Sequence, residues 1–410
     1  EHDFYCARKD TFGPKAMVAT HPTWWPYPGT REFKKNGLSW WRATRDFAQV
    51  DEVTPFACRS SLAKKWGSAV WYNMYYSRAV TDYETSIWSH ALGGGRVNFH
   101  PIYPSNAKRG WRRRALLQGG LMRGNCRIRL LNFITRAPLD CPVAVVFGHA
   151  CAMNWAGPAY SDVGLGVANG LWQAGFPADL IPSSEIGGPA LKVSADGFVQ
   201  YGPQRYVAIV LYHPEFERPG TATLFRKAAE GKTALHRVGE WTTTFDGKPF
   251  DGRQALPGAM QASDDAGACV RVVVDQLRKL GVKPQSSAAA TLGGFGHQSA
   301  SPGRTGHCRL LDGTEILLAG TKKVTGDPIR TSFDVGGHEV AVDAIGVVGV
   351  RLGSDGSLAA LAAGGLKHFA VGGLTVQLDH PADLALWRDT KGKLHGVLQG
   401  WEGPVPPSLS

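Results

Sequence analysis

Apolar runs and helical patterns alternate over the first hundred residues. KAMVATHP (15–22), QVDEVTPFA (49–57), SAVWYNMYYS (68–77) and GGRVNFHPIY (94–103) read as strands, with GLSWWRATRDFA, RSSLAKKWG and DYETSIWSHALGG as helices between them. A βαβαβαβ series predicts parallel strands joined by crossover helices. Each predicted strand runs out into polar, aromatic or Pro-containing residues: His21-Pro22-Thr23-Trp24-Trp25, Thr54-Pro55-Phe56, Asn73-Met74-Tyr75-Tyr76 and Asn98-Phe99-His100. Functional groups at the carboxyl ends of successive parallel strands are the habit of (β/α)8 barrels. Residues 1–104 are therefore expected to form half of such a barrel.

The alternation restarts after a basic stretch. Residues 105–140 read as a helical connector in which Arg112, Arg113, Arg123, Arg127 and Arg129 interleave with Leu116, Leu117, Leu121, Ile128, Leu130 and Leu131. Over 141–285 the runs CPVAVVFGH, ADLIPSSEI, RYVAIVLYHP and ALHRVGEW read as strands, and GLGVANGLWQAG, ATLFRKAAEGK and ACVRVVVDQLRKLGV as helices. Strands that are apolar without interruption imply a parallel sheet covered on both faces, here a doubly wound domain of flavodoxin-like type. The turn after the first of them, FGHACAMNWAG, has no GxGxxG, which argues against a dinucleotide cofactor. Residues 286–305, rich in Ser, Ala and Gly, read as a loose linker. From 306 to 410 the pattern is of short strands split by DG, GG, SDG and TKGK, an all-β sandwich signal in which glycines 336–337, 353, 356, 364–365 and 372–373 serve the turns.

Composition narrows the function classes. With 43% apolar and 10% aromatic residues in 410, the chain has material for several cores, and it lacks an unbroken apolar run of membrane-spanning length. Forty-five basic against thirty-four acidic residues give a net charge of +11, but much of the excess lies in the connector and no nucleic-acid motif accompanies it. The expectation is no nucleic-acid and no membrane partner. The seven cysteines have no CxxC and no zinc-like His spacing, so they read as buried thiols, with no metal and no cofactor expected.

Candidate chemistry concentrates at the aromatic strand ends. The stretch from Gly67 to Pro104 mixes Trp and Tyr with Asn, His and Asp, a composition suited to stacking on sugar rings and equally to a barrel seam. Trp24 and Trp25, in a Pro-rich loop, fit either a sugar platform or a pair closing the barrel mouth, with His21, Asn73, Tyr75 and Tyr76 beside them. Arg96, Asn98 and His100 end the last strand of the series. Asp51 and Glu52 lie near the start of a strand and are expected either to belong to the opposite end of the barrel or to pair with lysines such as Lys64 and Lys65.

The order of half barrel, "RIRLLNFITRAP", a domain opening "PVAVVFGHACAMNWAGPAYSDVGLGVANGLWQAGFPADLIPSSEI" and a β-domain resembles the β-galactosidases of the clan A barrel glycosidases with a trimerisation domain. The resemblance implies that 1–104 is the carboxyl-terminal half of the catalytic barrel, that 141–285 is a degenerate amidotransferase-like domain through which the protein self-associates, and that the substrate is a carbohydrate. In that family the acid/base follows Asn on the fourth barrel strand and the nucleophile ends the seventh. With 94–103 as the eighth strand, the fourth falls before residue 1, and the seventh ends in Asn73-Met74-Tyr75-Tyr76, without a Glu. Glu84 and Asp82, in the loop after that strand, are the acids nearest the expected position. Glycoside hydrolysis needs two carboxyls about 5 to 5.5 Å apart for retention or about 6.5 to 9.5 Å for inversion. Glu84 also fits a structural part as a helix-start acid, with Thr81 or Asp82 as the cap. A glycoside hydrolase is therefore expected, and the alternative is a noncatalytic carbohydrate-binding or assembly protein. A working amidotransferase needs a Cys after its third strand, where this chain reads Leu211-Tyr212-His213-Pro214-Glu215-Phe216.

Overall fold

The computed structural model describes residues 2–16, 18, 49–51, 56–65, 67, 70–73, 95–98, 128–148, 162–285, 290–292, 298–300, 306–318 and 328–399. The chain gathers into two compact units: Glu1–Ser68 with Asp140–Gln285 and Gly294–His297, and Ala69–Leu139 with Ser286–Gly293 and Gln298–Ser410. It is a mixed α/β protein with a parallel sheet in the first unit and a large, curled antiparallel sheet in the second.

Among the described residues of the first hundred there are three short strands, β1 (Gln49–Asp51), β2 (Val70–Asn73) and β3 (Gly95–Asn98). β2 and β3 run parallel, Val70 opposite Gly95 through Asn73 opposite Asn98. The expected strand 49–57 is cut short, because Phe56 and Ala57 open the helix Phe56–Lys65. Pro55, which lacks the N–H a strand ladder needs, stands just before that helix. Of the expected strand 15–22, the described Lys15, Ala16 and Val18 are outside regular structure.

The parallel sheet is built from β4 (Val143–Phe147), β5 (Ala178–Pro182), β9 (Ala208–Tyr212), β10 (Ala234–Val238) and β11 (Gln261–Ser263). The spatial order is β11-β10-β9-β4-β5, all parallel, which is 2-1-3-4-5 when these strands are numbered in chain order. Every residue of β4, β5 and β9 is buried, as the apolar runs of β4 and β9 require when both faces of a sheet are covered, and β5 carries one charged residue, Asp179, inside. The helix Leu165–Gln173 meets the helix Ala266–Lys279 at Gly170, where an added Cβ would fall 2.9 Å from Val270. Cys269, Val273 and Leu277, at fourfold spacing, bury one stripe of the latter, and Asp265 caps its start by accepting from the Ala268 N–H at 2.7 Å.

The connection from β5 to β9 contains no crossover helix. It folds instead into a three-stranded antiparallel sheet, β6 (Leu191–Val193), β7 (Val199–Tyr201) and β8 (Gln204–Tyr206). RYVAIVLYHP, expected as one strand, is thus divided between β8 and β9 at Val207. The helix Phe56–Lys65, more than a hundred residues upstream, packs on β5. Ser60 Oγ, Lys64 Nζ and Tyr206 Oη all donate to the Asp179 carboxylate, at 2.5, 2.5 and 2.6 Å, and Lys64 and Asp179 are fully buried. Lys65 pairs with Glu185 at 2.8 Å. Both lysines thus reach acids of the α/β unit, while Glu52 and the Asp51 side chain, their expected partners, lie outside what is described. Burial alone pulls the Lys64 ammonium toward losing its proton, but the charge and hydrogen bond of Asp179 outweigh it and hold Lys64 above its ordinary pKa.

In the second unit the residues expected as a linker include a strand pair, β12 (Ala290–Leu292) antiparallel to β13 (Gln298–Ala300). The large sheet follows: β14 (Gly306–Arg309), β15 (Glu315–Leu318), β16 (Ile329–Val335), β17 (His338–Ala344), β18 (Val347–Leu352), β19 (Leu358–Val371), β20 (Leu374–Arg388) and β21 (Leu394–Gln399). β19 pairs along one edge first with β18 and then with β17, and along the other with β20. It changes partner at Gly364-Gly365, which is a bulge inside the strand and not the expected turn. Gly365 has φ +60, and its N–H donates to Asp383 at 2.8 Å. Residues 128–134 of the basic connector are helical and bury Ile128, Leu131 and Ile134, the last of these against Gly349 of β18. Among the described residues no helix is long and apolar enough to cross a membrane.

Candidate functional site

Of the residues expected to form a sugar site, Asn73, Arg96 and Asn98 lie in described strands. Asn73 and Asn98 are register partners that close the parallel pair at its carboxyl end, and Arg96 lies two residues earlier, opposite Trp71. His21, Trp24, Trp25, Tyr75, Tyr76, Asp82, Glu84 and His100 lie outside the described residues.

A second set of polar groups collects at the carboxyl edge of the five-stranded sheet. In a 2-1-3-4-5 order the chain leaves β4 and β9 in opposite directions, which opens a crevice between their ends, the usual ligand position of such sheets. Asp162 stands there, before the helix Leu165–Gln173. Its carboxylate accepts from the Gly166 N–H, at 3.1 and 3.3 Å, and from Tyr212 Oη at 3.1 Å. That helix start already carries a negative charge, so a phosphate would meet repulsion where phosphates ordinarily bind. Gly164, with φ +82, brings the backbone so close that a Cβ would fall 2.8 Å from Val145.

β9 leads from Tyr212 into a strained elbow. His213 has φ +45 and Phe216 φ +62, and Val163 across the crevice has φ +52. Such left-handed conformations cost non-glycine residues of order 1–3 kcal/mol each and persist only where neighbours over-determine them. Here the His213 N–H donates to the Val238 carbonyl at 2.8 Å, and its ring stands edge-on to Tyr212 with centroids 4.6 Å apart. The imidazole lies against Gly239, where any side chain would collide with it. Glu217, buried, accepts from Ser183 Oγ at 2.6 Å and Thr221 Oγ1 at 2.8 Å, tying the elbow to the end of β5. Glu215 accepts from the Thr242 N–H at 2.9 Å.

These surroundings fix the protonation states. Burial lowers the pKa of His213, against a smaller opposing pull from Asp162, so the imidazole is neutral at neutral pH. Burial, with the charge and hydrogen bond of Asp162, raises that of Tyr212 and keeps the phenol protonated. The edge therefore offers hydrogen bonds from a neutral His and an intact phenol, with no thiol in the elbow. Cys58 and Cys141 are buried, and burial pushes both thiols up and makes them poor nucleophiles. Among the described residues no group of His, Cys, Asp and Glu could hold a metal ion. The missing Cys is legible in the string Tyr212-His213-Pro214-Glu215, whereas the Asp162–Tyr212 bond was not anticipated. The polar string ending an apolar strand was the signal for it. No family model matches the chain, and no curated protein matches it.

Proposed function

We propose that the chain is a carbohydrate-active protein of the β-galactosidase-like barrel class. In this reading 1–104 contributes the last βα units of a (β/α)8 barrel, 141–285 is a flavodoxin-like, amidotransferase-like domain used for self-association, and 306–410 is a β-sandwich. The observation that carries it is the 2-1-3-4-5 sheet whose third strand, β9, runs into a strained elbow bearing His213 where an amidotransferase needs Cys. A sheet that keeps the elbow without the nucleophile fits an assembly role, as the resemblance implies. Sugar contacts then fall to Trp24, Trp25, His21, Asn73, Tyr75, Tyr76, Arg96, Asn98 and His100, and acid/base work to Glu84 and Asp82. The second reading, a noncatalytic carbohydrate-binding or assembly protein, is favoured by Asn73-Met74-Tyr75-Tyr76, which puts no carboxylate at the end of β2.

Titration with galactose and aryl β-galactosides, alongside hydrolysis assays, tests both readings. Trp24→Ala and Trp25→Ala are each expected to weaken binding by roughly 1 to 3 kcal/mol. Glu84→Gln, which keeps shape and removes the ionisable group, is expected to abolish hydrolysis and leave binding nearly intact. Binding without hydrolysis in the unaltered protein selects the second reading. Binding indifferent to both Trp variants sinks the sugar site.

A further inference from the structure

After β10 the chain forms a loop over 239–253 around an open cleft of about 510 Å3, within the size range of small-molecule sites. The loop is held from several sides. Thr243 and Pro249 pair across it, the Phe250 N–H donates to the Thr242 carbonyl at 2.8 Å, and Glu215 fastens Thr242 from the elbow. Trp241, fully buried, packs its ring 4.4 Å from that of Phe250, so the half-exposed Phe250 is set on a rigid base. Gly252 sits against the Trp241 backbone, where a side chain has no room. Asp251 caps the following helical turn through Oδ1, and Arg226 Nε binds the Ala255 carbonyl at 2.7 Å.

Fixed in this way, the loop leaves polar groups turned to the cleft. The Arg253 side chain is 80% exposed, with a single long contact to Glu240 at 3.4 Å. Glu240 is 49% exposed and pairs with Arg237 at 3.1 Å. Asp251 has its Oδ2 outside the capping bond. Glu240 and Asp251 line the cleft with one guanidinium, that of Arg253, and Arg237, outside the lining, offsets the charge of Glu240 by pairing with it, so the cleft carries no strong charge of either sign. It presents one aromatic face, with Pro249 beside it, and acceptors and donors around the rim. The ligand that matches an apolar face edged by hydroxyls, and carries no charge, is a sugar ring.

We propose that this cleft binds a neutral saccharide of one or two rings, stacked on Phe250, with its hydroxyls donating to Glu240 and Asp251 and accepting from Arg253. The site is built from residues 240–253 and uses none of the aromatic strand-end residues of 1–104. It adds a sugar-binding surface to the α/β unit. A preorganised loop needs little ordering on binding, which suits a ligand of few contacts.

The test uses the full chain titrated calorimetrically with lactose, cellobiose and maltose, with glucose 6-phosphate as a charged probe. At least one disaccharide is expected to bind in the millimolar range, and glucose 6-phosphate is expected not to compete. Phe250→Ala, Glu240→Gln and Arg253→Ala are each expected to weaken that binding by about tenfold. Arg253→Ala removes an exposed side chain and leaves the fold in place, which guards against loss by misfolding. With the strand-end site disabled by Trp24→Ala/Trp25→Ala, the disaccharide binding that remains should still fall about tenfold on Phe250→Ala or Arg253→Ala. If none of the three disaccharides binds, or if binding survives Arg253→Ala and Glu240→Gln, the cleft proposal is overturned. Loss on Trp24→Ala with retention in the cleft variants would overturn it while supporting the site at the strand ends.

Discussion

The parallel sheet and the curled antiparallel sheet solve the same burial problem with opposite means. In the antiparallel sheet neighbouring strands are mostly joined by tight turns, and Val340, Val348, Leu361, Phe369 and Leu386 fill an apolar interior. Ion pairs such as Arg351–Asp312 stand at its flank, each side chain 27% exposed. The parallel sheet instead covers β5 with a helix from far upstream and fastens it through a lysine and an aspartate that are wholly buried. Local hairpins select their own partners by register, whereas a helix arriving from a distant stretch of chain has many apolar positions available to it. A buried charge pair adds little net stability over an apolar replacement, but it admits one alignment and penalises the others. The difference teaches that the wholly buried pair stands where chain connectivity does not choose the neighbour, whereas Glu315, buried in the β14–β15 hairpin, pairs with an arginine, Arg309, that reaches solvent.

Breaking the pair is the largest test of that contrast. Lys64→Met leaves Asp179 buried with only the Ser60 and Tyr206 hydroxyls, and is expected to destabilise the α/β unit by about 3–5 kcal/mol. Urea unfolding followed by hydrogen exchange would read it. Amides of β4 and β5 should lose protection while those of β19 and β20 keep theirs. A loss below about 1 kcal/mol would mean that the lysine is not what fixes the helix. The double variant Lys64→Met/Asp179→Leu should recover a large part of the loss, since no unpaired charge remains.

His236 sharpens the comparison through pH. It lies fully buried on β10, and neither ring nitrogen has a hydrogen-bond partner among the described residues. Burial lowers its pKa from 6.5 to about 4. A histidine held neutral in the fold contributes stability that is complete above its unfolded pKa and disappears as pH falls through the folded one. The loss therefore runs from about pH 6.5 down to about pH 4 and amounts to about 3 kcal/mol at its lower end. His236→Leu is expected to flatten that acid slope and, by removing an unsatisfied N–H, to raise stability at pH 7 as well. Denaturation midpoints measured at pH 7, 5.5 and 4.5 check both effects. An unchanged slope would place the acid sensitivity elsewhere.

What could be read in advance divides along the same line. CPVAVVFGH and ACVRVVVDQLRKLGV were legible because a continuous apolar run and a fourfold stripe each have one reading. The hairpin β6–β8 was not, since three-residue strands carry too little pattern. From sequence Lys64 is a partner for Asp51 or Glu52, because nothing near it announces Asp179, 115 residues away. Gly364-Gly365 resembled every other GG turn, and only the register shift against β20 between Ala363 and Leu366 marks it as a bulge. At the candidate site the missing Cys was visible in the string, but the left-handed backbone of His213 was not. It follows from contacts with Val238 and Gly239 that lie on another strand's end.

The smallest expected effect comes from the flank of the antiparallel sheet. Arg351, on β18, donates to Asp312 in the turn between β14 and β15 at 2.9 Å, and both side chains remain in contact with water. Solvent screens the pair, and Asp312 also accepts from the Thr314 N–H at 3.1 Å, so it keeps a partner when the arginine is removed. Arg351→Met retains the aliphatic stem that lies along the sheet and deletes the charge. It is expected to shift stability by less than about 1 kcal/mol, and by less again at high salt. Urea midpoints at low and high ionic strength measure both quantities. A loss near that of Lys64→Met would show that the antiparallel sheet depends on its ion pair as heavily as the α/β unit does, and the contrast between the two regions would fail.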